Sequence, residues 1–247
     1  AILKNFATSA SYFFLAALDV KSRDKRPVIA AVGDSIMDGD QAADAEPLDE
    51  NARFNNFLAS IISKNGREAC VVNLGISGNQ VTRSFLGQKP LDRFDRDVMS
   101  LSSLTHVIFL EGINDIGLPG LLSTMGIDTP EISVDQMISE NRKIIAKIKE
   151  NELIAVGGTL TPSGGFSAPS YFEESSEAKR QTINEWIRTS AGYDYVIDFD
   201  AILRDPDKPH LMKTGLTADG LHPNSAGYQK MAAAAYAALE QSLLQKP

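Results

Sequence analysis

A serine near the amino end of the sequence is placed where it could act as a nucleophile. It lies in the segment GDSIMDG (residues 33–39), which directly follows an apolar run. A serine that follows a buried strand has its hydroxyl at the edge of the sheet, where backbone N–H groups of the next turn also face a ligand. Ser35 is therefore a candidate nucleophile. The alternative is that Ser35 only caps a turn of helix.

A candidate general base lies near the other end, in the segment DGLHP. Pro223 suits the first position of a helix and disfavours an α conformation of His222, so the imidazole is expected beside the positive end of that helix. This position favours the neutral imidazole that a base requires, and Asp219 could hold its second ring nitrogen. The other histidines are weaker candidates, because His106 opens an apolar strand and His210 lies in a charged loop.

Hydrogen-bond donors follow two further apolar runs. The segment NLGISGN (residues 73–79) contains Gly75 and Gly78, which let the backbone approach a substrate closely. The segment EGIND contains Asn114, whose amide is a donor at the end of the next run. These donors are expected near the serine if the runs are strands of one parallel sheet. The alternatives are an ordinary strand–helix turn for the glycines and an Asx turn for Asn114.

The elements that must position these groups follow from the hydrophobic pattern. From residue 28 onward, short apolar runs alternate with amphipathic segments, which is typical of βα units and a parallel sheet. Strands are predicted at residues 28–32, 69–74, 106–110, 153–157 and 195–199. Helices are predicted at residues 51–64, 91–100, 134–151, 172–189 and 223–244. The predicted fold class is α/β, a three-layer α/β/α sandwich, with irregular segments at 39–50, 112–133 and 161–171 around the ligand crevice.

Composition excludes several classes of function. The 247 residues carry 32 acidic and 24 basic side chains, and a net charge of −8 argues against nucleic acid as a partner. The single cysteine, Cys70, excludes an internal disulfide, and its apolar neighbours predict that it packs in the core. Polar residues interrupt the apolar stretch at 6–20, so no membrane span is predicted and a signal peptide is the less favoured interpretation. A single thiol is compatible with the cytoplasm or with export; a secreted or periplasmic location is slightly preferred.

The four segments together carry a family resemblance. In the SGNH hydrolases, the GDSL esterase and lipase superfamily, a Ser in Gly-Asp-Ser, a Gly, an Asn in Gly-x-Asn-Asp and a His in Asp-x-x-His occur in this order. All four occur here in that order, and the resemblance extends from Val28 to the carboxyl end. It implies the flavodoxin-like fold of that family with a five-stranded parallel sheet. Residues 178–189 and 195–203 also resemble the XynE-like bacterial subgroup, found among plant-polysaccharide-degrading systems.

The resemblance implies a role for each candidate residue. The catalytic residues are Ser35 as nucleophile, His222 as base and Asp219 as the group that orients the base. The oxyanion hole consists of the backbone N–H groups of Ser35 and Gly78 and the side-chain amide of Asn114. Gly78 is preferred because the family's donor follows the small residue of an Asn-x-x-x-Ser-Gly string, and Gly75 remains the alternative. The residues expected to contact the substrate are Asp34, Asn79 and Phe166.

The resemblance also implies a domain organisation. Residues 28–247 are expected to form the catalytic domain, and residues 1–27 an amino-terminal strand and linker. In the XynE-like subgroup a β-rich module often precedes the catalytic domain, and residues 12–20 look like its last strand. The chain is therefore expected to be a truncated or processed form. The oligomeric state stays open.

The expected activity is hydrolysis of short-chain acyl esters, acetyl esters above all, on a small molecule or a plant polysaccharide. Six acids and no basic residue occupy positions 38–50, which disfavours anionic substrates. Their spacing matches no EF-hand, so a solvated loop is preferred to a calcium site and no metal or cofactor is expected. The segment 161–171 could wall the pocket or be an ordinary surface loop.

Two other functions are compatible with parts of this pattern. An acyltransferase would use the same site with an alcohol in place of water. A non-catalytic flavodoxin-like binding domain would share the sheet, but it would leave the Asp219–His222 pair unexplained, and no phosphate-binding motif is present. An ordinary α/β-hydrolase is also disfavoured, since the Gly-x-Ser-x-Gly elbow is absent.

Overall fold

Helices cover both faces of a five-stranded parallel sheet, which confirms the predicted α/β/α sandwich. The computed structural model describes residues 18–21, 26–40, 51–168 and 170–244. The predicted amino-terminal strand lies outside the described residues up to residue 17, and residues 18–21 form no regular secondary structure. Most of the acidic segment, residues 41–50, also lies outside them.

The strand order creates a crevice at the carboxyl edge of the sheet. The strands are β1 (Val28–Gly33), β2 (Cys70–Gly75), β3 (Leu104–Leu110), β4 (Ile154–Gly158) and β5 (Tyr195–Ile197). They lie in the order β2-β1-β3-β4-β5, and every neighbouring pair is parallel. The chain leaves β1 toward β2 on one side and then crosses to β3 on the other. Ligands bind at such a reversal, outside the carboxyl ends of the strands.

Two helical layers bury the two faces of the sheet. The helices are α1 (Ser35–Asp38), α2 (Phe54–Lys64), α3 (Pro90–Asp97), α4 (Ile113–Thr124), α5 (Val134–Glu150), α6 (Glu174–Thr189), α7 (Phe199–Leu203) and α8 (Ser225–Leu239). Successive residues of β1 face opposite layers, because side chains alternate along a strand. Ile29 belongs to the core cluster that contains α2 and α8 residues, and Ala30 to the cluster that contains α3 and α5 residues.

The segment 112–133, predicted to be irregular, contains helix α4, and this prediction was wrong. Gly117 and Pro119 lie inside the helix and lower its intrinsic propensity. Tertiary packing outweighs that propensity. A Cβ at Gly117 would lie 2.5 Å from the Tyr171 ring, and one at Gly120 would lie 1.9 Å from the carbonyl oxygen of Ser170. The glycines therefore let the segment around Tyr171 lie directly against α4.

Cys70 is exposed, so the prediction that it packs in the core was wrong. Val71 and Val72, which suggested burial, belong to β2, but β2 is an edge strand of the sheet and Cys70 is its first residue. Edge strands have a neighbour on one side only, which leaves their ends accessible. Within the described ranges, no helix combines the length and the apolar character that a membrane crossing requires.

Candidate active site

Ser35 is the first residue of α1, directly after β1 at the carboxyl edge of the sheet. The cap of this helix is Asp34, whose Oδ1 accepts a hydrogen bond of 2.9 Å from the backbone N–H of Ile36. The Ser35 hydroxyl is therefore not used as the cap and bonds elsewhere. In the described part of the chain, the backbone N–H of Ser35 has no hydrogen-bond partner.

Ser35, His222 and Asp219 form a continuous chain of hydrogen bonds. The distance from His222 Nε2 to Ser35 Oγ is 2.9 Å, and that from His222 Nδ1 to Asp219 Oδ2 is 2.6 Å. A carboxylate only accepts, so the ring proton lies on Nδ1 and Nε2 accepts from the serine hydroxyl. The structure thus joins residues 187 positions apart in the sequence.

The turn before α8 is folded around the Asp219 carboxylate. Its Oδ1 accepts from the backbone N–H groups of Leu221 and His222 at 2.9 and 2.8 Å. Burial raises the pKa of Asp219, but the hydrogen bonds from the His222 ring and from these N–H groups outweigh burial and bring it to about 2. Asp219 therefore carries a negative charge beside the imidazole at any pH well above 2.

The pKa of His222 is raised above its ordinary value of 6.5. Burial alone would lower it, since a buried imidazolium loses hydration. The hydrogen bond to Asp219 and the charges of Asp219, Asp40 and Asp34 outweigh that effect. The ring is thus a stronger base than a free histidine, and it is half protonated at a pH above 6.5.

The two glycines after β2 differ in how their backbone N–H groups are used. The N–H of Gly75 donates to Asn73 Oδ1 at 3.0 Å, and a Cβ there would lie 2.2 Å from the backbone nitrogen of Asp38. Gly75 is therefore needed for the close approach of β2 to α1. Gly78 has a φ of 76°, which favours glycine, and its N–H has no partner within the described residues.

Asn114, near the start of α4, has a defined amide orientation. Its Nδ2 donates to the backbone oxygen of Asn79 at 3.0 Å, and its Oδ1 accepts from the hydroxyl of Tyr171 at 2.9 Å. Because a carbonyl oxygen only accepts, the atom facing Asn79 must be the nitrogen. One N–H of the amide remains for a ligand.

Of the three residues expected to contact the substrate, the structure places two beneath the surface. Asn79 is 0% exposed, and its side chain bonds Arg93 and the backbone oxygen of Gln88. Asp34 is 1% exposed and caps α1. Both side chains therefore hold the loops of the site in place. Phe166 is half-buried, and its ring lies edge-on to the His222 ring with centroids 6.3 Å apart.

A group of buried acids under the site was not recognised from the sequence. Asp115 accepts from the backbone N–H groups of Val81 and Thr82 and so holds the loop that follows Gly78. Glu111 is buried, and neither carboxylate oxygen has a partner among the described residues. Their position in the sequence could have predicted this burial. Acids that directly follow the apolar residues of a strand lie at the edge of the crevice, where their carboxyl groups lose contact with water. We find no group of acids, histidines or cysteines arranged to hold a metal ion in the described ranges.

Asp34 and Glu111 follow neighbouring strands at the same level, since Gly33 of β1 pairs with Leu110 of β3. Burial raises the pKa of Asp34 to about 7, and it raises the pKa of Glu111 well above its ordinary value. The charges of Asp34 and Asp115 also raise the pKa of Glu111. The floor of the site is consequently less negative at neutral pH than the count of its acids suggests.

The protein is a hydrolytic enzyme, a carboxylic ester hydrolase, because its sequence matches a family of acylhydrolases and its fold agrees with that match. The chain belongs to the GDSL-like lipase/acylhydrolase family, whose family model matches residues 31–230. The matched range includes Ser35, Asn114 and the Asp219–His222 turn, and the resemblance drawn from the four segments is confirmed. A comparison with curated proteins found no match.

Solved structures share this architecture. An α/β hydrolase from the metagenome of Lake Arreo, Spain, is 20% identical with a TM-score of 0.65, covering 88% of this chain and 96% of that chain. A GDSL-like lipase from Bacteroides thetaiotaomicron is 18% identical with a TM-score of 0.62, covering 93% of this chain and 95% of that chain. The acetylxylan esterase of Geobacillus stearothermophilus is 18% identical with a TM-score of 0.60, covering 87% of this chain and 94% of that chain. At such identities the likeness establishes the fold.

Proposed function

We propose that this protein is a serine esterase that hydrolyses short-chain acyl esters through a covalent acyl-enzyme on Ser35. The observation that carries the proposal is the hydrogen-bonded chain from Asp219 through His222 to Ser35, with distances of 2.6 and 2.9 Å. His222 accepts the hydroxyl proton as Oγ attacks the ester carbonyl, and Asp219 stabilises the imidazolium that forms.

The proposed reaction then proceeds in two halves. The tetrahedral intermediate collapses, and His222 returns the proton to the departing alkoxide, which leaves as an alcohol. Water next attacks the acyl-enzyme while His222 accepts its proton. Collapse of the second intermediate releases the carboxylic acid and restores the Ser35 hydroxyl.

The oxyanion is stabilised by three donors in this proposal: the backbone N–H groups of Ser35 and Gly78 and the remaining N–H of Asn114. The choice of Gly78 over Gly75 is supported by the hydrogen bond that already occupies the N–H of Gly75. Fixed donors of this kind stabilise the charge that develops in the transition state without reorganisation.

Replacement of Asn114 by alanine is expected to lower kcat by roughly 10²–10³-fold, because one of the three oxyanion donors is lost. KM should change little, since the donor acts mainly on the transition state. Steady-state kinetics with p-nitrophenyl acetate measure both constants. Asn141→Ala is the matched control, a buried asparagine whose side chain donates to the backbone oxygen of Met137 within α5. Equal losses in the two variants would contradict the oxyanion role.

Acetyl groups on plant polysaccharides are the substrate class that we propose. Support comes from the XynE-like segments at 178–189 and 195–203, and from the fold shared with an acetylxylan esterase. The net charge of −8 also favours neutral over anionic esters. Phe166, half-buried beside His222, is the residue we assign to contact with the alcohol part, because His222 must reach the departing oxygen.

The substrate proposal is tested with p-nitrophenyl esters from acetate to decanoate and with acetylated xylan. We expect kcat/KM to be highest for acetate and to fall as the acyl chain lengthens, and we expect acetate release from the xylan. A maximum at decanoate would contradict the short-chain assignment. Transfer of the acyl group to an added alcohol at low concentration would instead identify an acyltransferase with the same site.

A further inference from the structure

Tyr171 lies behind the proposed oxyanion hole and has no role in the reaction described above. Its hydroxyl donates to Asn114 Oδ1 at 2.9 Å, although the two residues are 57 positions apart. The side chain is 3% exposed, so it does not reach a substrate. In the proposed esterase, the Tyr171 hydroxyl therefore acts on the chemistry through its hydrogen-bond partner, Asn114.

The surroundings of Tyr171 leave little freedom to its ring. On one side the ring lies against α4, where Gly117 leaves room that a Cβ would fill at 2.5 Å. On another side the ring of Phe166 meets it edge-on, with centroids 5.0 Å apart. The ring is thus held between a helix and a loop, and its hydroxyl is presented to Asn114 at a fixed position.

The Asn114 amide can deliver a donor to an oxyanion only in one orientation. A rotation that exchanged nitrogen and oxygen would place a lone pair where the negative charge develops, and it would set two acceptors, Oδ1 and the backbone oxygen of Asn79, against each other. The backbone oxygen of Asn79 therefore selects the productive orientation, and the Tyr171 hydroxyl holds the amide there by donating to Oδ1. Burial raises the pKa of Tyr171 well above its ordinary value, so the hydroxyl remains a donor throughout the working range.

We propose that Tyr171 is a positioning residue of the oxyanion hole, which holds the Asn114 side-chain amide in the orientation that stabilises the transition state. The proposal rests on the proposed esterase function. It assigns the segment 161–171 to the machinery of catalysis rather than to an ordinary surface loop, since Phe166 and Tyr171 from this one segment contact His222 and Asn114 respectively.

The first test is the variant Tyr171→Phe, which removes the hydroxyl and retains the ring packing. We expect kcat for p-nitrophenyl acetate to fall roughly tenfold, the change that corresponds to loss of one hydrogen bond to the amide. KM should stay close to that of the wild type. The control is Tyr236→Phe, which removes a tyrosine hydroxyl three turns along α8, remote from Ser35, and should leave kcat unchanged.

A double-mutant cycle separates positioning from a general structural role. In an Asn114→Ala background, Tyr171→Phe should change kcat less than twofold, because the group that it positions is already gone. Gly117→Ala tests the same role in another way. Its methyl group would displace the Tyr171 ring, and with it the hydroxyl, so kcat should also fall. Nitrogen-15 NMR provides a readout without turnover: the Asn114 side-chain amide signals, assigned by their loss in Asn114→Ala, should shift in Tyr171→Phe.

Each outcome bears on one proposal or the other. If Tyr171→Phe lowers kcat equally with and without Asn114, or does not lower it at all, the positioning role is overturned while the esterase stands. If the wild type cleaves no ester, the proposed function fails and this assignment fails with it. Loss of kcat in Tyr171→Phe that disappears in the Asn114→Ala background supports both.

Discussion

Ser35→Ala is expected to lower kcat/KM for p-nitrophenyl acetate by roughly 10⁵-fold or more, the largest effect of any single substitution in this chain. The hydroxyl oxygen is the atom that would form the bond to the acyl carbon, and alanine has no such atom. Asp34, not Ser35, caps α1, so the substitution leaves the helix cap intact. The variant should therefore fold with a melting temperature near that of the wild type.

The measurement combines kinetics with intact-protein mass spectrometry. An acyl or fluorophosphonate adduct should form on the wild type, map to the peptide that contains Ser35, and be absent from the variant. Ser77→Ala is the control, since its hydroxyl lies at the same edge of the sheet but bonds Asp40; activity should be largely retained. Full activity in Ser35→Ala would refute the nucleophile assignment.

Asp219→Asn is expected to produce the second largest effect, a loss of roughly 10⁴-fold in kcat/KM near neutral pH. An asparagine can turn its N–H₂ toward Nδ1 of His222, which would favour the tautomer with the proton on Nε2. That nitrogen then cannot accept the proton of Ser35 Oγ, although the two atoms stay close. The charge that stabilises the imidazolium is also lost.

The same substitution should move the acid limb of the pH profile in a defined direction. In the proposed mechanism the neutral form of His222 is the base, so kcat/KM of the wild type should rise with pH through a pKa above 6.5. The hydrogen bond and the charge of Asp219 are the two largest contributions that raise this pKa, so their loss lowers the pKa of His222. The residual activity of Asp219→Asn should therefore rise at lower pH than that of the wild type.

Profiles of kcat/KM for both proteins, from acidic to mildly alkaline pH, measure the shift. Asp92→Asn serves as the control, because Asp92 bonds Ser84 and not His222; the acid limb of this variant should coincide with that of the wild type. An acid limb that stays in place in Asp219→Asn, or moves to higher pH, would show that another group sets it.

Much of the candidate site could be located from the sequence, because the groups assigned to it follow strands. Apolar runs place Ser35 after β1, Gly78 after β2 and Asn114 after β3, and parallel strands end at one edge of a sheet. The Asp219–His222 pair is local, since a turn of four residues can fold around its own carboxylate. An interaction between residues close in the chain depends on the backbone angles of only a few residues, so residue types and spacing predict it well.

The sequence by itself determined the family, the strands and the candidate nucleophile and base, because these depend on local pattern. Only the tertiary structure decided which glycine keeps a free N–H, that Asn79 is buried, that α4 is helical in spite of Gly117, and that Tyr171 bonds Asn114. Each of these depends on a contact between elements distant in the chain. Such contacts depend on how the side chains of several helices and strands pack together in the core. The sequence of a single segment does not determine that packing.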